Sequence, residues 1–113
     1  MNKGTIVLSK FPFTDLSTFK RRPAIIVSGS KKKGNDIILA FISSKVTEPI
    51  EDTDYIIEIN HIDFKYTGLK MRSVFKMDKL VTIEKNLIVG EIGKVSSSIL
   101  QELDKRLKIA LDL

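Results

Sequence analysis

A mainly β chain, folded as a small barrel with one C-terminal helix, is predicted from three features of the sequence. Short β-type segments separated by turn residues fill about the first two-thirds of its 113 residues. Two of these segments, 23–28 (PAIIVS) and 37–43 (IILAFIS), are apolar almost throughout. Strands buried on both faces read this way, whereas a sheet with one wet face alternates. From residue 98 the apolar positions recur at helical rather than strand spacing.

Each element has its own signature. Residues 4–11 (GTIVLSKF) read as the first strand, and Pro12 with Thr14-Asp15-Leu16-Ser17 opens a loop. The two apolar strands follow, separated by a polar turn region that carries Lys31, Lys32 and Lys33. Residues 44–54 form a loop, and residues 55–59 alternate weakly as a strand near the surface. Residues 60–70 are irregular, with a turn at Thr67-Gly68. Residues 72–83 (RSVFKMDKLVTI) alternate with neither face purely apolar, so this strand is expected to expose polar groups for a purpose. A turn at Glu84-Lys85-Asn86 leads to a last strand, 87–92. A helix is expected over 98–111, with Ile99, Leu100, Leu103, Leu107, Ala110 and Leu111 on its apolar stripe. Ser98 and Gln101 form a capping-box pattern at its start. Lys105, Arg106 and Lys108 lie toward its end, where the helix dipole favours cations.

The length fits one domain, 1–113, large enough to bury a core without staples. With no cysteine, neither a disulfide framework nor a cysteine-based zinc site can form. No apolar run is long enough to span a bilayer, and no signal-peptide pattern follows Met1, so a cytoplasmic protein with no membrane partner is expected. The net charge of +5 is unevenly spread. Residues 1–33 carry eight Lys/Arg against one acid, residues 34–64 one against seven, and residues 65–113 ten against six. Two basic blocks around an acidic middle make nucleic acid the leading class of partner, beside the plainer reading of a solubilising surface.

Several stretches, in order, resemble one family. Gly4-Thr5-Ile6-Val7-Leu8 resembles its opening strand, and Phe11-Pro12-Phe13-Thr14-Asp15-Leu16-Ser17 the start of its first loop. Arg22-Pro23-Ala24-Ile25-Ile26-Val27-Ser28 is similar to its most recognisable motif, and Ala40-Phe41-Ile42-Ser43-Ser44 to a strand end that usually carries Thr. Gly68-Leu69, Ser73-Val74 and Asp78-Lys79-Leu80-Val81-Thr82-Ile83 resemble its central strand, and residues 87–95 with the helix its tail. The family is the MazF/PemK-like toxins of type II toxin–antitoxin systems. The resemblance implies an SH3-like β-barrel and a homodimer. It also implies a metal-independent, sequence-preferring endoribonuclease of single-stranded mRNA that stops translation and growth, and needs no cofactor. Its implied partners are single-stranded RNA, a cognate antitoxin, and operator DNA bound only as the toxin–antitoxin complex.

Metal-free cleavage uses the substrate's 2′-hydroxyl as nucleophile, leaving a 2′,3′-cyclic phosphate and a 5′-hydroxyl. The protein must move two protons and hold the charge that builds on phosphorus. A guanidinium suits the last task, since its planar fork grips two oxygens and stays charged. Arg22 is the first candidate. Pro23 biases it toward an extended backbone, and a buried strand follows as a rigid mount. The residues alone read equally as a surface Arg in a basic loop, and the resemblance favours catalysis. Ser43, in the family's Thr position, offers a hydroxyl to a phosphate oxygen, or simply closes a strand end. Asp78 is the third catalytic candidate. Lys76, two residues before it, is expected on the same face of the strand, where some members of the family carry an Arg-x-Asp; a surface ion pair is the alternative.

Lys10, Lys20 and Arg21 are assigned to steering the phosphate backbone, Lys76 to contacting substrate, and Phe19 to stacking on an unpaired base. Phe11 and Phe13 read as packing residues, and the lone His61 as incidental. The first loop is short and offers only Asp15 where many family members have a Glu, and Val81 stands where an Arg is common. Two other readings fit the same fold: a CcdB-like toxin that binds a protein such as DNA gyrase without catalysis, and an SH3-like nucleic-acid or protein-binding module. Arg22 and Ser43 favour the nuclease.

Overall fold

The computed structural model describes residues 1–11 and 20–113. The described residues form six strands and one α-helix: β1 (Thr5–Phe11), β2 (Lys20–Ile26), β3 (Asp36–Ser43), β4 (Asp54–Ile57), β5 (Ser73–Glu84), β6 (Ile88–Lys94) and α1 (Ser97–Leu111). Short 3-10 turns cover Phe64–Thr67 and Lys85–Leu87. All strand pairs are antiparallel, in the order β4-β5-β3-β2-β1-β6.

The apolar strands are buried on both faces, as their composition requires. Ile25, Ala40, Ile42, Phe75, Met77 and Ile57 pack on the side that α1 covers with Ile99 and Leu103. Val7, Phe11, Ala24, Ile26, Leu39 and Ile83 form a second cluster, and partly buried Phe41, Val81 and Ile88 pack against it. Ile6 and Val7 are adjacent on β1 and both fully buried, yet they belong to different clusters. Successive strand residues point to opposite faces, so a two-sided strand feeds two cores.

Closure of the small barrel differs from a continuous ladder. Among the described residues, no hydrogen-bonded pairing joins the edge strands β4 and β6. The chain leaving β4 instead crosses to β6 through the Phe64–Thr67 turn. Two glycines permit that contact. A Cβ on Gly68 would collide with the Ile92 carbonyl, and one on Gly93 with the Thr67 backbone. Gly68 also holds φ of 73°, a left-handed conformation that glycine adopts at no steric cost.

The helix starts slightly earlier than its apolar period suggests. Ser96, not Ser98, is the N-cap: its Oγ accepts from the Ile99 backbone N–H at 3.3 Å. Ser96, Ser97 and Ser98 are chemically equal candidates. The choice falls to the approach of the chain, fixed by the Val95 N–H donating to the Gly4 carbonyl at 3.0 Å. The helix therefore has an N-cap without the reciprocal Gln101 contact expected from a capping box.

Candidate nucleic-acid interface

Where β2 and β3 separate, the fold opens a groove. Their ladder runs from Ile26–Leu39 to Ala24–Phe41 and stops there. Pro23 is the next residue of β2 and has no N–H to give a ladder. On its other side β2 stays paired with β1 as far as Phe11–Lys20. Continuing the β2–β3 register past Pro23 sets Arg22 opposite Ser43 on the two diverging strands. The proline thus does more than extend Arg22: it ends the pairing that would have filled the gap.

Two cavities meet at this point, and Arg22, Pro23, Ile42, Ser43 and Lys45 border both. The smaller, of about 430 Å³, is completed by Phe11, Phe41, Thr47, Lys76 and Lys79. Its aromatic wall is rigid, with the Phe11 and Phe41 rings edge to face at 4.9 Å. The larger, of about 850 Å³, extends past Lys20, Arg21 and Lys70 to Gly68, Leu69, Met71 and Ile92 at the barrel seam.

Electrostatically the groove has one sign. Arg22, Lys45, Lys76 and Lys79 line the smaller cavity, and Lys20, Arg21, Arg22, Lys45 and Lys70 the larger. No Asp, Glu or His lines either among the described residues. Clefts lined by one sign concentrate counter-ions, here anions. Ser43 is held in place: its Oγ accepts from the Lys45 backbone N–H at 3.1 Å, which leaves the hydroxyl hydrogen to be donated. Arg22 is exposed, and among the described residues it makes no ion pair.

The remaining candidates separate. Lys20 and Arg21 line the larger cavity, and Lys76 the smaller. Lys10 is half-buried opposite Arg21 in the β1–β2 register and lines neither. Phe19, like Phe13 and Asp15, lies outside the described residues. Asp78 is exposed and borders neither cavity.

The expected pairing of Lys76 with Asp78 on one face gives way to a different arrangement. Register along β3–β5 passes from Ala40–Leu80 to Phe41–Lys76, so residues 77–79 have no β3 partner. A bulge of this kind breaks the strict alternation on which the shared-face argument rests. The Lys76 ammonium lies instead 3.3 Å from both carboxylate oxygens of Asp54 on β4. The same bulge brings Lys79 to the cavity.

Three groove cations escape the sequence reading: Lys45, Lys70 and Lys79. Only Lys45 had a local signal, lying two residues after Ser43 at a strand end. His61 is occupied locally, its Nδ1 accepting from the Asp63 N–H at 3.0 Å. Among the described residues, no group of three or more His, Asp or Glu is placed to hold a metal ion, and no helix is long and apolar enough to cross a membrane.

Solved structures with this architecture are numerous. A mycobacterial endoribonuclease solved with its cognate antitoxin superposes with a TM-score of 0.76 over 100% of this chain and 96% of its own, at 16% identity. The Mycobacterium tuberculosis toxin MazF-mt6 gives 0.75 over 96% of this chain and 97% of its own, at 21% identity. MazF from Deinococcus radiodurans gives 0.74 over 100% and 97%, at 15% identity. At such identities the likeness speaks for the fold alone. No curated protein sequence matches the chain. The family model of the PemK-like, MazF-like toxins matches residues 2–111, so this chain belongs to the PemK-like, MazF-like toxins of type II toxin–antitoxin systems.

Proposed function

We propose that the chain is the endoribonuclease toxin of its system, cutting single-stranded RNA at the groove where β2 and β3 part. One observation carries the reading. Arg22 and Ser43 border both arms of a groove whose described walls hold cations and no carboxylate. A single strand laid along the two arms would cross Arg22 and Ser43 at their junction. The guanidinium would neutralise the phosphorane that forms when the 2′-hydroxyl attacks, and the Ser43 hydroxyl would donate to a phosphate oxygen. Lys20, Arg21, Lys45, Lys70 and Lys79 would hold the flanking phosphates. Asp78, off the cavity walls, has no part in this scheme. The products are a 2′,3′-cyclic phosphate and a 5′-hydroxyl, formed without a metal.

In the cell, the reading makes the protein a cytoplasmic homodimer that arrests translation. Its antitoxin would lay an acidic segment along the same cations, excluding RNA by charge. Operator DNA would be met only as the toxin–antitoxin complex. The structure of a mycobacterial relative with its cognate antitoxin supports a partner of this kind.

The test is incubation with long single-stranded RNA in excess EDTA, followed by mapping of the ends. The expected result is cleavage with 5′-hydroxyl ends that Arg22→Ala removes. Growth arrest on expression without any cleavage would replace the reading with that of a toxin that only binds. The lack of a described carboxylate or imidazole on the walls favours that second reading, because neither cavity offers an evident base.

A further inference from the structure

Lysine is a poor anchor for a phosphate unless something fixes it. Its ammonium is a point charge on four flexible carbons, without the pre-shaped fork of arginine. Lys76 nevertheless faces the smaller cavity beside Arg22 and Ser43. Its surroundings supply what the side chain lacks.

Asp54 is paired with Lys76 across β4 and β5, which places the two side chains on one face. The carboxylate is 4% exposed and the lysine side chain 24%. Both carboxylate oxygens lie 3.3 Å from Nζ. Asp54 is itself fixed from three directions. Its Oδ2 accepts from the Glu51 N–H at 3.2 Å, and its own N–H donates to the Glu51 carbonyl at 3.0 Å. Its carbonyl accepts from Arg106 Nε on α1 at 2.8 Å. The neighbouring Thr53 carbonyl accepts from the Met77 N–H at 3.1 Å, tying the same loop to the bulge.

We infer that Asp54 is a positioning residue that turns Lys76 into a directed phosphate donor. The carboxylate holds one side of the ammonium with both oxygens, and at least one of its three hydrogens is left for a ligand in the cavity. The arrangement weakens Lys76 as a source of long-range attraction, because the pair is neutral overall. It strengthens Lys76 as a fixed contact, because a bond whose donor is already oriented loses less freedom on binding. Asp54 would touch no substrate and act only through Lys76. The inference deepens the ribonuclease reading and rests on it for its kinetic consequence.

The test compares wild type, Asp54→Asn, Lys76→Met and the double variant on single-stranded RNA, with turnover expressed per folded molecule from thermal melts. Asp54→Asn, which keeps the cation, is expected to lower kcat by about tenfold or more with KM nearly unchanged, the mark of a contact that counts in the transition state, whereas Lys76→Met is expected to lower kcat at least as much and to raise KM as well. The double variant is expected to be no slower than Lys76→Met, because both changes remove one interaction. Full turnover per folded molecule in Asp54→Asn, or additive losses in the double variant, would overturn the inference. A second measurement does not depend on cleavage. In 15N spectra of lysine ammonium groups, Lys76 is expected to give a slowly exchanging signal that shifts with a 2′-O-methyl oligonucleotide and vanishes in Asp54→Asn. If wild type fails to cut RNA, the ribonuclease reading falls and this signal decides the inference. A Lys76 signal averaged like those of exposed lysines, or one indifferent to the oligonucleotide, refutes it.

Discussion

Arg22 and Ser43 lie on the two strands just beyond the last β2–β3 pair, Ala24–Phe41, and each borders both cavities of the groove. A guanidinium and a hydroxyl on two diverging strands are carried by the barrel rather than by the loop before them. Their geometry is therefore set by core packing behind Ala24 and Ile42, both buried.

That mounting gives the first expectation. Arg22→Ala should leave the melting temperature nearly unchanged, since the side chain is exposed, while RNA cleavage falls by about a hundredfold to a thousandfold. Arg22→Lys should recover little, because the charge returns without the fork. Ser43→Ala should cost about tenfold or more, and Ser43→Thr should keep most activity by retaining the hydroxyl. End-mapped cleavage assays on the folded variants give all four values. Equal activity in Ser43→Ala and Ser43→Thr would remove the hydroxyl from the mechanism.

The barrel seam gives a second. Gly93 meets the Thr67 backbone so closely that no side chain fits, and backbone cannot swing aside as a flexible side chain can. Gly93→Ala should destabilise the fold by about 3 kcal/mol, at the upper end of ordinary overpacking costs. Gly90→Ala is the control, since a Cβ there meets nothing within 4 Å. Urea melts of the two variants separate local crowding from any general aversion of β6 to alanine.

Much of the fold was legible because its signals are local. An apolar run such as 37–43 announces burial on both faces, and leucines at helical spacing announce α1. Arg22-Pro23 was legible as a rigid mount, although the groove it opens depends on the β2–β3 ladder stopping at Ala24, which no local pattern encodes. The pairing of Lys76 lay beyond reach. Period-two reasoning gave it Asp78, two residues away, whereas the bulge at residues 77–79 and the β4–β5 register gave it Asp54, 22 residues back. A bulge leaves little trace in one sequence, since any residue can occupy it. The cations Lys45, Lys70 and Lys79 were illegible as a group for a related reason. They come from three separate segments, and only folding brings them to one groove.

The middle of α1 supplies a third expectation, on pH. Arg106 Nη1 donates to Glu102 Oε2 at 2.7 Å, and Lys105 Nζ lies 3.3 Å from Oε1. These hydrogen bonds, Arg106 first, hold the Glu102 carboxyl below its ordinary value of 4.5. A depressed carboxyl stabilises the fold fully above its unfolded pKa, and the contribution is lost as pH falls through the lower folded value. The advantage of wild type over Glu102→Gln should therefore be constant above pH 4.5 and shrink below it. Glu102 is partly exposed to solvent, so added salt should reduce the difference as well. Melting temperatures across an acid series measure both trends, and an advantage that grows as the pH drops would contradict the assignment.

Salt gives the last expectation, and it separates the groove's cations by role. Each phosphate neutralised on a single strand contributes about −0.7 to the slope of log affinity against log salt concentration. Lys20, Arg21, Lys45, Lys70 and Lys79 make no ion pair among the described residues, so each is positioned to add such a contribution. Replacing Lys45 and Lys79 together with Met should flatten the slope by about 1.4, if each meets one phosphate. Lys76 is different. Its charge is already balanced by Asp54, so the Lys76→Met pocket keeps a buried carboxylate with no cation beside it. That carboxylate repels a phosphate directly, and binding should weaken by more than the change in slope accounts for. Anisotropy titrations of a labelled 2′-O-methyl oligonucleotide at several salt concentrations provide both quantities. Identical slopes in wild type and the Lys45/Lys79 double variant would mean that the strand does not run through the smaller cavity.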